Sequence, residues 1–127
     1  MTNKIFSKIR KRMGKTQKQM AQLLGVSLKA VQSFEQGWRN IPAYVERHLY
    51  FLMFRLEASG KKIDPCWTTI KCPLNVKRRC PAWEYQTGDL CWFINGTICH
   101  GEPEKDWHEK MISCRKCKVF KEMIPDL

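Results

Sequence analysis

The stretch TQKQMAQLLGVSLKAVQSFEQG, residues 16–37, decides the fold of the first half of this 127-residue chain. Apolar residues recur in it at helical spacing, and the pattern is interrupted once by a three-residue turn that contains glycine. Thr16 and Ser27 stand where the first residues of two helices need a side-chain oxygen to cap them. The pattern therefore predicts one helix over residues 17–24 and a second over residues 28–36.

Two short helices joined in this way form a helix-turn-helix unit. Gly25 supplies the positive φ that the sharp turn requires. The outer face of the second helix is predicted to carry Lys29, Gln32 and Ser33. The side chains predicted to face the core are Met20, Ala21, Leu24, Val31 and Phe34.

Two further helices are expected on either side of this unit. A first helix places Ile5, Ile9 and Met13 on one stripe and ends at Gly14. A fourth, over residues 42–58, is apolar nearly all round. Its predicted core stripe is Val45, Leu49, Leu52 and Leu56, with Tyr50, Phe51, Met53 and Phe54 on the remaining faces. Such a helix needs a second covering surface, which is either the rest of the chain or the same helix of a second subunit.

The charge of the chain is concentrated in this first half. The whole chain has 23 basic and 12 acidic residues, a formal charge of +11. Residues 1–58 contribute +8 of that charge, and residues 59–127 contribute +3. The size and charge exclude a single large enzyme fold and a simple acidic binding module, and they favour a polyanionic partner such as nucleic acid.

Residues 16–27 and 34–40, with the helices around them, resemble the lambda-repressor-like (XRE-type) DNA-binding domain over roughly residues 3–58. The resemblance implies that the second helix of the pair enters the major groove of double-stranded DNA. The side chains it places at base edges are Leu28, Lys29, Gln32 and Ser33, and those it places at phosphates are Gln17, Arg39 and Asn40. Charge alone adds Lys15 and Lys18 to the phosphate contacts, whose contribution to affinity falls with salt.

All seven cysteines lie in the second half of the chain. The N-terminal region has no apolar signal core and no apolar run is long enough to span a bilayer, so the protein is expected in the cytoplasm and away from membranes. Thiols stay reduced there, and a cysteine cluster favours metal over disulfides. The candidate ligands are Cys66, Cys72, Cys80, Cys91, Cys99, Cys114 and Cys117, with His100 as an additional candidate.

The two-residue spacing of Cys114 and Cys117 is the sharpest metal-binding signal, because it lets both sulfurs turn to one centre. The basic residues Arg115, Lys116 and Lys118 are expected to lower the thiol pKa values there. The pair Asn95-Gly96 predicts a β-hairpin between flanking apolar residues.

Cys66-Trp67 and Cys91-Trp92, with the other cysteines, resemble the two-CW domain over roughly residues 64–121. The resemblance implies a sensory or regulatory accessory module. The Cys-Pro steps in this half are similar to those of cluster-binding loops, which favours an iron–sulfur cluster over zinc, although zinc stays open. The predicted fold is a mainly α helix-turn-helix domain over residues 1–60 followed by a small irregular α+β cysteine-rich metal-binding domain over residues 61–127.

No constellation of catalytic residues is recognisable, so the protein is not expected to be an enzyme. The sequence predicts a sequence-specific DNA-binding transcriptional regulator, acting as a homodimer, whose metal centre senses redox state or metal. Two alternatives remain. One is a regulator with a purely structural zinc, and the other is a small redox, electron-transfer or protein-interaction adaptor.

Overall fold

A computed structural model describes residues 1–58 and 60–124 of the chain. These residues form helices and turns and contain no strand, so the α+β character expected of the second half is not confirmed. The chain divides into two compact units, the first comprising Met1–Leu56 and the second beginning at Glu57. No helix in the described part of the chain is both long enough and apolar enough to span a bilayer.

The first unit contains four helices. Their bounds are α1 Asn3–Arg12, α2 Gln17–Leu24, α3 Leu28–Gln36 and α4 Ala43–Glu57. The predicted bounds of α2 and α3 are confirmed residue for residue, because local capping signals determine them. The Thr16 hydroxyl accepts a hydrogen bond from the Gln19 amide at 3.1 Å, and the Gln19 side chain accepts one from the Thr16 amide at 3.0 Å. Gly25 ends α2 with φ at +67°.

Helix α3 packs against both α1 and α2, and its inner face forms the centre of the first unit. Phe34 of α3 is 1% exposed and meets Phe6 of α1 edge to face, with 5.7 Å between ring centroids. The residues predicted to face inward on α2 and α3 are buried, as predicted. The outer face of α3 is thereby left free of the core.

A polar network ties the C-terminal part of α3 to the other two helices. The guanidinium of Arg10 on α1 donates two hydrogen bonds to the Glu35 carboxylate, and the Gln17 amide on α2 donates a third at 3.3 Å. Burial alone would raise the pKa of Glu35, but these hydrogen bonds and the charge of Arg10 outweigh it and lower the pKa.

Replacing Glu35 with glutamine should destabilise the first unit by about 1–2 kcal/mol at pH 7, since charge-assisted hydrogen bonds are lost from a partly buried site. A carboxylate whose pKa is lowered in the folded state stabilises the fold at pH values above its pKa in the unfolded chain, which is about 4.3. The difference in the free energy of unfolding between wild type and Glu35→Gln should therefore become smaller as the pH falls below that value. Denaturant unfolding at pH 7 and pH 3 measures this, and a difference that is the same at both pH values would contradict it.

Helix α4 departs from the prediction at its C-terminal end. Val45 and Leu49 are buried as expected, but Leu56 is 54% exposed, so its place on the core stripe was wrong. Glu46 is buried, although the apolar pattern did not place it in the core. Its carboxylate forms an ion pair with the Met1 amino group at 3.1 Å. Periodicity identifies one face of a helix but does not show how far along that face the core extends.

The second unit consists of short helices joined by turns. They are α5 Cys66–Thr69, α6 Leu74–Lys77, α7 Pro81–Glu84, a 3₁₀ turn over Cys91–Phe93, α8 Trp107–Cys114 and α9 Lys118–Met123. The hairpin predicted around Asn95-Gly96 is wrong. Gly96 does turn the chain, with φ at +87°, but the residues before it form the 3₁₀ turn. Trp92 in that turn is fully buried and meets Phe120 edge to face. The segment is therefore held in place by a buried side chain and not by hydrogen bonds between strands.

Candidate functional site

The outer face of α3 presents side chains suited to reading DNA. Lys29 and Gln32 are exposed and stand three residues apart, which places them on one side of the helix. Leu28 is 42% exposed beside them, whereas Ser33 is half-buried. A lysine and a glutamine on a free helix face supply the donors and the acceptor that base edges in the major groove require.

The loop after α3 is anchored to the helix by its backbone. The amides of Trp38 and Arg39 both donate to the Ser33 carbonyl, at 3.0 and 3.3 Å. Arg39 and Asn40 are therefore exposed at a defined place beside α3, as a phosphate contact requires. Trp38 is 80% exposed at the same place. Sequence reasoning passed over it, although a tryptophan directly after a terminating glycine has no core to enter.

The other predicted phosphate contacts lie at the start of α2. Gln17 is half-buried and gives one amide hydrogen to Glu35, which leaves its second hydrogen for a ligand. Lys15 is half-buried, and Lys18 is exposed. Helix α2 has no acidic residue in its first turn, so the positive end of its dipole is uncompensated. A phosphate is the natural partner of such an end.

The second unit surrounds a cavity of about 500 Å³. We call it the thiol cavity, because five cysteines line it: Cys72, Cys91, Cys99, Cys114 and Cys117. The exposed His100 also lies at its edge. The remaining two, Cys66 and Cys80, line a smaller neighbouring cavity together with Cys72 and Cys99. The fold thus brings all seven thiols to two adjoining cavities, which their spacing in the sequence did not predict in detail.

The cysteines are positioned mainly by the ends of the short helices. Cys114 is the last residue of α8 and Cys117 precedes α9, and the Cys117 amide donates to the Cys114 carbonyl at 2.9 Å. Cys66 begins α5, and its amide donates to the Gly88 carbonyl at 2.9 Å. A Cβ on Gly88 would lie 2.6 Å from both Pro65 and the Trp67 ring, so only glycine allows this close packing.

The thiols do not converge as a single metal ion requires. Among residues 1–58 and 60–124, no three histidine, cysteine or carboxylate side chains are close enough together to hold one ion. Four thiolates on one zinc would place their sulfurs about 3.8 Å apart, given a Zn–S distance of about 2.3 Å in a tetrahedron. Five thiols distributed around a larger cavity are compatible with a centre of several atoms.

The protonation of the thiols reflects burial more than their basic neighbours. Burial raises the pKa of Cys114 to about 11, and the charge of Lys110 offsets only part of that rise. The expectation that the adjacent Arg115 and Lys116 lower this pKa was therefore wrong, since both are exposed and water screens their charges. A hydrogen bond from the Cys91 thiol lowers the pKa of Cys66, and the same contact raises that of Cys91.

Lys110 is a residue of this site that sequence reasoning missed. It is 3% exposed and lines the thiol cavity, with its ammonium donating to the Thr97 hydroxyl at 2.6 Å. Its register with the buried Trp107 and Met111 and the half-buried Cys114 on one face of α8 was the available signal. A lysine in that register is unusual, because lysine is seldom fully buried without a partner.

No curated protein and no solved structure matches the chain. Residues 6–44, which comprise most of α1, all of α2 and α3 and the loop after them, match the family model described as helix-turn-helix. The match does not extend to the cysteine-rich unit, whose resemblance to the two-CW domain stays a prediction. The first unit therefore contains an XRE-type helix-turn-helix, which indicates a DNA-binding regulator.

Proposed function

We propose that this protein is a cytoplasmic transcriptional regulator that reads a specific DNA sequence with α3 and carries a thiolate-ligated metal centre in its second unit. The observation that carries the DNA-binding part is the free outer face of α3 within a matched helix-turn-helix. Its exposed Lys29 and Gln32 are flanked in sequence by the basic start of α2 and by the anchored Arg39. Base-edge contacts from α3 supply specificity, and the flanking contacts to phosphate supply affinity and register.

Substitutions on this surface should separate into two classes. Lys29→Ala and Gln32→Ala should each cost about 1–3 kcal/mol on the preferred sequence and leave binding to scrambled DNA nearly unchanged. Arg39→Ala should weaken binding to both duplexes alike and reduce the salt slope by about 1.

Fluorescence anisotropy with the two labelled duplexes, at several salt concentrations, measures these losses. The exposed Lys121 offers a control, since Lys121→Ala removes the same charge from the second unit and leaves the first unit unaltered. If Lys29→Ala, Gln32→Ala and Arg39→Ala all weaken both duplexes equally, α3 does not read bases.

We propose that the protein binds as a homodimer on two half-sites, as helix-turn-helix readers commonly do. The exposed Leu56 and the half-buried Phe51 and Leu52 make the C-terminal part of α4 a suitable contact for a second subunit. Sedimentation of the protein alone and with a duplex carrying one or two half-sites tests this proposal. A complex with one chain on the full site would contradict it.

The chemistry of the thiol cavity supports an iron–sulfur cluster as the metal centre. Cysteine thiolates are the ligands that such clusters use, and four of the five that line the cavity suffice. Trp92, Phe120 and Ile98 in the cavity wall would exclude water. Such a centre would supply one-electron redox chemistry, and the thiols would hold it in place. The alternative is a purely structural zinc, which four of the same thiolates would hold.

Purification without oxygen, followed by metal and acid-labile sulfide analysis, decides between the two centres. Iron with sulfide in equal amounts and a brown colour support the cluster. A colourless protein with one zinc per chain would overturn the cluster and leave a DNA-binding regulator with a structural metal.

A further inference from the structure

Lys110 places a positive charge inside the wall of the thiol cavity. Its side chain extends from α8, one helical turn before Cys114, and is 3% exposed. Its ammonium donates a hydrogen bond to the buried Thr97 hydroxyl at 2.6 Å. The Cys114 sulfur is a second hydrogen-bonding partner of this ammonium, and neither neutral group compensates its charge.

The described residues give this charge no carboxylate partner. Glu104 also lines the cavity, but its carboxylate accepts from the Ser113 hydroxyl at 2.8 Å and forms no ion pair with Lys110. A buried, unpaired ammonium costs several kcal/mol relative to one in water. The fold therefore has a cationic site whose counter-charge must come from the contents or the walls of the cavity.

Thiols line the thiol cavity beside this ammonium, and Glu104 and Asp106 line a second pocket that Lys110 also lines. Cys91, Cys99 and Cys114 line the thiol cavity together with Lys110, and Cys114 follows it by one turn of α8. Lys116 also lines the cavity, but it and Arg115 are exposed, so water screens their charges. A cation inside the cavity wall acts in a medium of lower dielectric constant, where its effect on an anionic centre is much larger.

We propose that Lys110 is the buried counter-charge of the thiolate-ligated centre and sets its reduction potential, with Thr97 holding the ammonium in position. This inference rests on the proposed function, because it needs the centre to form in the thiol cavity. Adding one electron to the centre increases its negative charge, and a nearby fixed cation stabilises that reduced form. Lys110 should therefore raise the potential, as charges and hydrogen bonds around a cluster do.

The test compares the reduction potentials of variants of the full-length protein purified without oxygen. Lys110→Met keeps the length and removes the charge, and it should lower the equilibrium constant for one-electron reduction at least tenfold, about 59 mV to more negative potential. Lys121→Met removes an exposed charge from the same unit and should change this constant less than threefold. Thr97→Val keeps the ammonium but releases it, and it should give a shift between these two.

The outcomes separate this inference from the function on which it rests. Wild-type protein without iron and sulfide would overturn both. A cluster whose potential is the same in wild type and Lys110→Met would overturn the role of Lys110 and leave the centre intact. If Lys110→Met assembles no cluster, Thr97→Val decides. An equilibrium constant for one-electron reduction within threefold of wild type in that variant would overturn the proposal.

Discussion

Replacing Phe34 with alanine should unfold the first unit and abolish DNA binding. Phe34 is 1% exposed and forms the contact of α3 with Phe6, so its loss removes both burial and an edge-to-face ring pair. Truncation of a buried phenylalanine costs about 3–5 kcal/mol. A unit of this size has a total stability of about 3–8 kcal/mol, so the loss consumes most or all of it.

Hydrogen exchange measured peptide by peptide tests this expectation without interference from the second unit. Amides of α1, α2 and α3 should lose their protection in Phe34→Ala, while those of α8 should keep theirs. Leu28→Ala on the same helix is the matched control, since Leu28 is 42% exposed and its loss should change stability by about 0.5 kcal/mol or less. If the amides of α3 were protected in Phe34→Ala as they are in wild type, the assignment of Phe34 to the centre of the core would be wrong.

The double variant Cys114→Ser, Cys117→Ser should lose the metal centre almost completely. Both thiols line the thiol cavity and are held together by the turn between α8 and α9, so the two substitutions remove half of a four-thiolate site. We expect the iron content of the anaerobically purified protein to fall at least tenfold. The second unit should also lose its cooperative thermal transition, because so small a core depends on its centre for stability.

Cys80→Ser is the matched control for that loss. Cys80 lines the smaller cavity and does not line the larger one, so this variant should keep its iron. Equal loss of iron in Cys80→Ser would move the centre to the smaller cavity. The affinity of the double variant for DNA then shows whether the metal centre regulates DNA binding. A loss of tenfold or more supports a regulatory centre, whereas unchanged affinity reduces it to a structural one.

The first unit was predictable because its signals are local. Thr16, Ser27 and the two glycines that end α2 and α3 act on residues a few positions away, and the helix bounds follow from them. The error at Leu56 has a different origin, since its exposure depends on where the core ends in three dimensions. The positions of α3 that face outward followed from those that face inward.

The second unit was predictable in its chemistry but not in its arrangement. Seven cysteines indicated thiol chemistry. An Asn-Gly pair, however, forms a hairpin only when the segments on both sides of it are extended, and here the segment before it forms a 3₁₀ turn that buries Trp92. The partition of the thiols between two cavities is a tertiary property. The register of Lys110 places it on the inner face of α8, but its role became visible through its contacts with Thr97 and the thiols.

Selection of binding sites from a pool of random DNA duplexes by the anaerobically purified full-length protein tests the central claim most directly. A sequence-specific regulator should enrich one motif and bind it at least about a thousandfold more tightly than a scrambled duplex at physiological salt. Its affinity for both duplexes should fall as salt rises. Equal affinity for the selected and scrambled duplexes at every salt concentration would contradict the proposal that α3 reads DNA.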